Sequence, residues 1–309
     1  MATLVHIALA NLASLLLAAS APTPDSVKVT YLHSLSTSFG TVPLDAVTLS
    51  YDREHHEIFV TGDGPTRVYN ESGMEVFTFE DDPRVGRVRA VATLDGGDLL
   101  VLSWLENGAA LIRCTFRGEF ISRLELRGVP TEFAGVSYNM MRQLGGKLYL
   151  ADPVAMKVLE VDGEGGYVAS WDLARLLDVE EKRQDFGIRG FNVDKDGNIL
   201  FTVQALFKAY VLSPAGDLQA FGSRGGAPGK FNVVSGIARD DAGYFYVADI
   251  LKSAVVVFDP EFRFVHEFGY RGRGPHNLAA PEDLAVADGK LFVSQHARMG
   301  VSVFQVLQQ

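Results

Sequence analysis

Residues 235–268 read SGIARDDAGYFYVADILKSAVVVFDPEFRFVHEF. Four short apolar runs, 235–239, 244–248, 254–258 and 264–268, are separated by turns such as 240–243 and 259–261. Runs of this length, rich in Val, Phe and Tyr and bounded by Asp, Gly and Pro, predict four strands joined by tight connections. The runs at 244–248 and 254–258 are apolar throughout, not alternating, so these strands need cover on both faces of their sheet. Such a unit requires neighbours of its own kind.

The neighbours are present in the sequence. A turn followed by an apolar strand recurs at 56–61, 97–102, 146–151, 197–202, 243–248 and 289–294. Aligning Val60, Val101, Leu150, Phe201, Val247 and Val293 gives steps of 41, 49, 51, 46 and 46 residues. Six copies at this period predict an all-β fold, a six-bladed β-propeller with four strands per blade. The sixth copy runs out of chain after three strands, at 284–287, 291–294 and 301–306. The apolar segment 27–32 at the other end is left over. Joining it to the last blade closes the ring and removes the exposed sheet edges. Residues 22–309 then form one propeller domain.

The segment 220–295 carries Ala220-Phe221-Gly222, a Gly-rich loop, Tyr246-Val247-Ala248-Asp249, Val257-Phe258-Asp259 and Phe268-Gly269. In this order the motifs resemble NHL repeats. Blade four matches at 194–198 and 220–222, and blades one to three match only in rhythm. The resemblance implies a six-bladed propeller. The family includes protein-binding and RNA-binding modules and an amidating lyase, so a shared fold does not choose the chemistry.

The chain has 309 residues, 47% hydrophobic and 21% charged, with net charge -10. That is a globular composition, and a poor general binder of nucleic acid or anionic membrane. The single cysteine, Cys114, lies in an apolar strand and reads as a small core residue. Residues 1–21 carry no Asp, Glu, Lys or Arg and end in Ala-Ser-Ala. They predict a secretory signal peptide and hence a periplasmic or extracellular protein, with an uncleaved N-terminal membrane anchor as the alternative.

Candidate site residues follow from the repeat. The positions entering the innermost strands, Asp45, Arg89, Tyr138 or Asn139, Arg189, Ser235 and Asp283, are expected to ring one mouth of the channel, with His296 on the same face. Two arginines there offer planar forks of donors for an anionic or zwitterionic ligand. The competing expectation is that Arg and Asp pair with each other and hold neighbouring blades in register. Asp45, Asn139 and Asp283 resemble the carboxylate and Asn sets of calcium-dependent propeller lactonases, but the flanking arginines oppose a dication. No metal, cofactor or nucleophile motif is predicted. The Gly-rich loops 222–230 and 269–276 read as links between blades, since no Lys-Ser or Lys-Thr helix follows to make a phosphate loop. The segment 171–183 predicts a short helix on the ring face, packed by Leu173, Leu176 and Leu177. These observations point to a binding module for a protein, peptide or small polar ligand, and alternatively to a metal-assisted propeller lyase or lactone hydrolase on the same face.

Overall fold

A computed structural model describes residues 27–37, 40–41, 48–94, 96–296 and 300–308. The predicted leader and Asp45 lie outside them. Six four-stranded antiparallel sheets form the blades. The innermost strands are Thr48–Asp52, Arg87–Thr93, Met140–Leu144, Phe191–Val193, Val234–Arg239 and Pro281–Ala287. Each touches the next around the ring, and the sixth touches the first.

The ring closes as expected. Blade six takes Lys290–Gln295 and Val301–Gln308 from the C-terminal part of the chain and Val27–Ser34 from the N-terminal part. Val27 pairs with Gln308, Val29 with Val306 and Tyr31 with Phe304, with one irregularity before His33.

The core is not central. It consists of six apolar layers, one between each pair of neighbouring blades. The layer between blades six and one holds Phe292, Val301 and Val303 against Leu49, Ile58, Val60 and Tyr69. This explains the predominantly apolar runs: Ile199–Val203, Phe245–Asp249 and Ala254–Phe258 are buried at every position. Each such Val, Ile or Phe contributes about 1.5–3 kcal/mol of transfer free energy.

Turn chemistry repeats with the blades. Asp194 Oδ1 accepts the N–H groups of Asp196 and Asn198, and Asp240 Oδ1 those of Ala242 and Tyr244. A carboxylate two and four residues upstream of its donors closes the turn, and Gly197 and Gly243 supply the positive φ that it requires.

The insertion after blade three forms a one-turn helix, Leu173–Leu176, capped by Asp172 accepting from the Arg175 N–H at 3.1 Å. A second short helix, Arg183–Phe186, follows. Leu173 is buried and Leu177 partly buried in the layer between blades three and four, but Leu176 is 42% exposed, contrary to its expected packing role. The segment is tied to the loop after the second strand of blade three: Leu173 N–H donates to Met156 O at 2.8 Å.

Candidate functional site

Strand register aligns the blades residue by residue. Leu49, Val91, Met141, Phe191, Ile237 and Leu284 pair with the six aligned second-strand residues. The next residue in each blade faces the channel: Ser50, Ala92, Arg142, Asn192, Ala238 and Ala285 all line its interior. Four of these are small, which leaves room for a long side chain from a fifth. Arg142 fills it. Its Nη2 lies 2.9 Å from both carboxylate oxygens of Asp283, which comes from blade six, opposite blade three in the ring.

Two residues upstream of the same alignment lie Arg89, Asn139, Arg189, Ser235 and Glu282. In blade six the residue matching Arg189 is therefore Glu282, one place before the expected Asp283. Asp283 takes the place occupied by Gly190 and Gly236 in blades four and five. Those glycines are required: a Cβ on Gly190 would collide with Ser235 O, and one on Gly236 would lie 2.6 Å from Glu282 O. The innermost strands of blades two, five and six each carry a register shift at this level, at 88–90, 234–237 and 281–284. Bulges leave residues out of the ladder and re-aim their side chains. Here they release Arg89, Glu282 and Asp283.

Arg89, Asn139, Arg189 and Asp283, from four blades, line one cavity of about 320 Å³ at the channel mouth, together with Thr48, Arg142 and Glu282. The expected convergence of these four residues is observed. Ser235 does not join them. It is buried, and its hydroxyl donates to Pro281 O at 2.8 Å, locking blade five to blade six. Tyr138 is also buried, donating to Phe133 O, so Asn139 is the blade-three residue at the mouth. His296 is not among the residues lining the cavity; its Nε2 lies 2.8 Å from Glu282 Oε2.

The charges at the mouth are only partly matched. Arg142 and Asp283 neutralise each other, with side chains 12% and 14% exposed. Asp283 is held further by the Leu49 N–H at 2.9 Å, so it ties blades one, three and six together. Arg189 donates to Glu282. Among the described residues, half-buried Arg89 has no carboxylate partner, and the Asn139 amide has no side-chain hydrogen bond. Among the described residues, three guanidinium groups thus face two carboxylates. A channel mouth has low-dielectric walls, so the surplus charge is less screened than on an open surface.

Cys114, His55 and His56 are committed elsewhere. Burial pushes the Cys114 thiol up to about 12, far from a reactive thiolate. His55 and His56 lie at the opposite face, held by Asp52 and Asp288. Among the described residues no group of three His, Cys, Asp or Glu is placed to hold a metal ion.

No family model and no curated protein matches the chain. Solved structures do. A protein of unknown function from Bacteroides thetaiotaomicron has 14% identity and a TM-score of 0.62, over 91% of this chain and 77% of that one. A calcium-binding protein, regucalcin, from Agrobacterium tumefaciens has 14% identity and a TM-score of 0.59, over 90% and 98%. An inactive virginiamycin B lyase from Staphylococcus aureus, crystallised with quinupristin, has 10% identity and a TM-score of 0.56, over 91% and 100%. The likeness shows a shared overall fold. At these identities the likeness extends to architecture alone.

Proposed function

We propose that this chain is an exported NHL-type propeller that binds a small polar ligand, or the end of a peptide, through a carboxylate or similar anion at the channel mouth. The observation that carries this reading is Arg89: a half-buried guanidinium, aimed into a cavity by a β-bulge, with no carboxylate partner among the described residues. Beside it the Asn139 amide offers both a donor and an acceptor. An anion bridging the two would supply the missing hydrogen bonds, and those to charged groups are worth roughly 1.5–3 kcal/mol each. The pairs Arg142–Asp283 and Arg189–Glu282 form the rigid wall against which such a ligand is oriented.

A ligand that binds only the folded state raises its melting temperature. Thermal melts with glutamate, succinate and phosphate, against matched amines and neutral sugars, should show stabilisation by an anion alone. Stabilisation by none of the anions would overturn the assignment. Export rests on residues 1–21, and N-terminal sequencing of the envelope or secreted protein should find a start near Pro22; Met1 retained on soluble cytoplasmic protein would exclude it.

A further inference from the structure

A second cavity opens at the opposite face, between blades one and two. It measures about 630 Å³. Its wall is mainly apolar, formed by Phe59, Val68 and Phe77 of blade one and by Leu99 and Phe116 of blade two.

The cavity has a cause in the turns. In blade four, a Cβ on Gly197 would meet Pro214, and in blade five one on Gly243 would meet Pro260. A proline in the turn between third and fourth strands thus covers the glycine of the turn between first and second strands. In blade two the matching turn is Thr115–Gly118, closed by the same Gly118 N–H to Thr115 O hydrogen bond as Gly216 to Ser213 and Phe262 to Asp259. Phe116 stands in the proline's place and is 65% exposed. The opposing Gly97 has only open space around it. Among the described residues nothing covers Gly97, and an aromatic ring overhangs the gap.

The polar groups at this cleft are unevenly matched. Asp52 is held by His55, and Asp98 by Arg113 at 2.8 Å. Glu57 makes no hydrogen bond or ion pair with any described residue, although it is partly buried on the same wall. Burial raises its pKa from the ordinary value. The overhanging ring already attracts a cation, since the Arg117 guanidinium sits 5.3 Å from the Phe116 centroid. An unpaired carboxylate, an aromatic overhang and an apolar floor in one cavity match a ligand with a positive head and a hydrocarbon body.

We propose that the cleft between blades one and two is a separate binding site for a small hydrophobic ammonium, with its charged head on Glu57 and its aryl or alkyl body against Phe59, Phe77 and Phe116. The site is independent of the channel mouth and lies at the other face of the ring.

Isothermal titration of the full chain with 2-phenylethylammonium, and with 2-phenylethanol as the uncharged counterpart, tests this. The ammonium should bind saturably, about tenfold or more tighter than the alcohol. Glu57→Gln should remove most of that preference, and Phe116→Ala should weaken both probes. Arg89→Ala should change neither, which separates this site from the channel mouth. Absence of saturable binding by the wild type, equal affinity for the two probes, or an ammonium preference that survives in Glu57→Gln would each overturn the proposal. The comparison of the two probes on the wild type stands even if a variant folds poorly.

Discussion

Arg142 reaches across the channel from blade three to Asp283 of blade six, with one guanidinium nitrogen 2.9 Å from each carboxylate oxygen. A closed ring of six blades makes them opposite partners, and the small residues Ser50, Ala92, Ala238 and Ala285 at the same level give the side chain its path. The pair separates the cavity at the mouth from the channel interior, since Arg142 lines both.

Removing either partner leaves a poorly solvated charge without its counterion. Arg142→Ala and Asp283→Ala should each lower unfolding free energy by about 1.5–3 kcal/mol in urea titrations. The double variant should lose clearly less than the sum, because the second change removes a charge that the first had stranded. Strict additivity would show that the two side chains do not interact.

The closing strand carries a second test. Val27–Ser34 supplies the fourth strand of blade six, and Tyr31 packs its ring 5.7 Å from that of Phe304. Deleting residues 22–34 exposes the Val301–Gln308 edge and an apolar layer to water. The melting temperature should fall by ten degrees or more, a rough estimate for the loss of several kcal/mol from a domain of this size. An unchanged melting temperature would remove this strand from the fold.

His33, in the same strand, makes stability depend on pH. Its ring lies against Gly73, where a Cβ would collide with it, and its buried Nε2 has no hydrogen-bond partner among the described residues. Burial first, and the nearby Lys290 charge second, hold its pKa below the ordinary 6.5. The unfolded chain therefore binds the proton more readily than the folded one. The contribution of His33 is complete above about pH 6.5 and is lost as pH falls through the lower, folded value. Between pH 7.5 and 5.5 the wild type should lose more stability than His33→Leu. Equal losses in both proteins would rule His33 out as the cause.

Particular residues show what the sequence displays and what it hides. Blade count and ring closure are visible because a strand covered on both faces, such as Ala254–Phe258, is predominantly apolar, and a turn followed by such a strand recurs six times. The channel mouth is visible where strands are regular, as at Asn139 and Arg189. It blurs at bulges. In a regular strand Glu282 and Asp283 face opposite sides, yet the register shift at 281–284 brings both to the cavity, so the repeat alone aligns Asp283 with Arg189 and skips Glu282. Arg142 carries a signal of its own, a charged residue where four of the five matching positions are Ser or Ala. Its partner lies 141 positions away and becomes apparent only once the ring is closed.

At the channel mouth Arg89 is the proposed receptor of an anion. Calorimetric titration of the wild type and Arg89→Ala, using whichever of glutamate, succinate or phosphate stabilises the wild type most, addresses it directly. Because Arg89 supports no other described side chain, the variant should keep its stability within about 0.5 kcal/mol. It should nonetheless bind the anion at least tenfold more weakly, as loss of a charged hydrogen bond of about 1.5 kcal/mol or more requires. A stable Arg89→Ala protein that binds the anion as tightly as the wild type would show that Arg89 does not hold the anion.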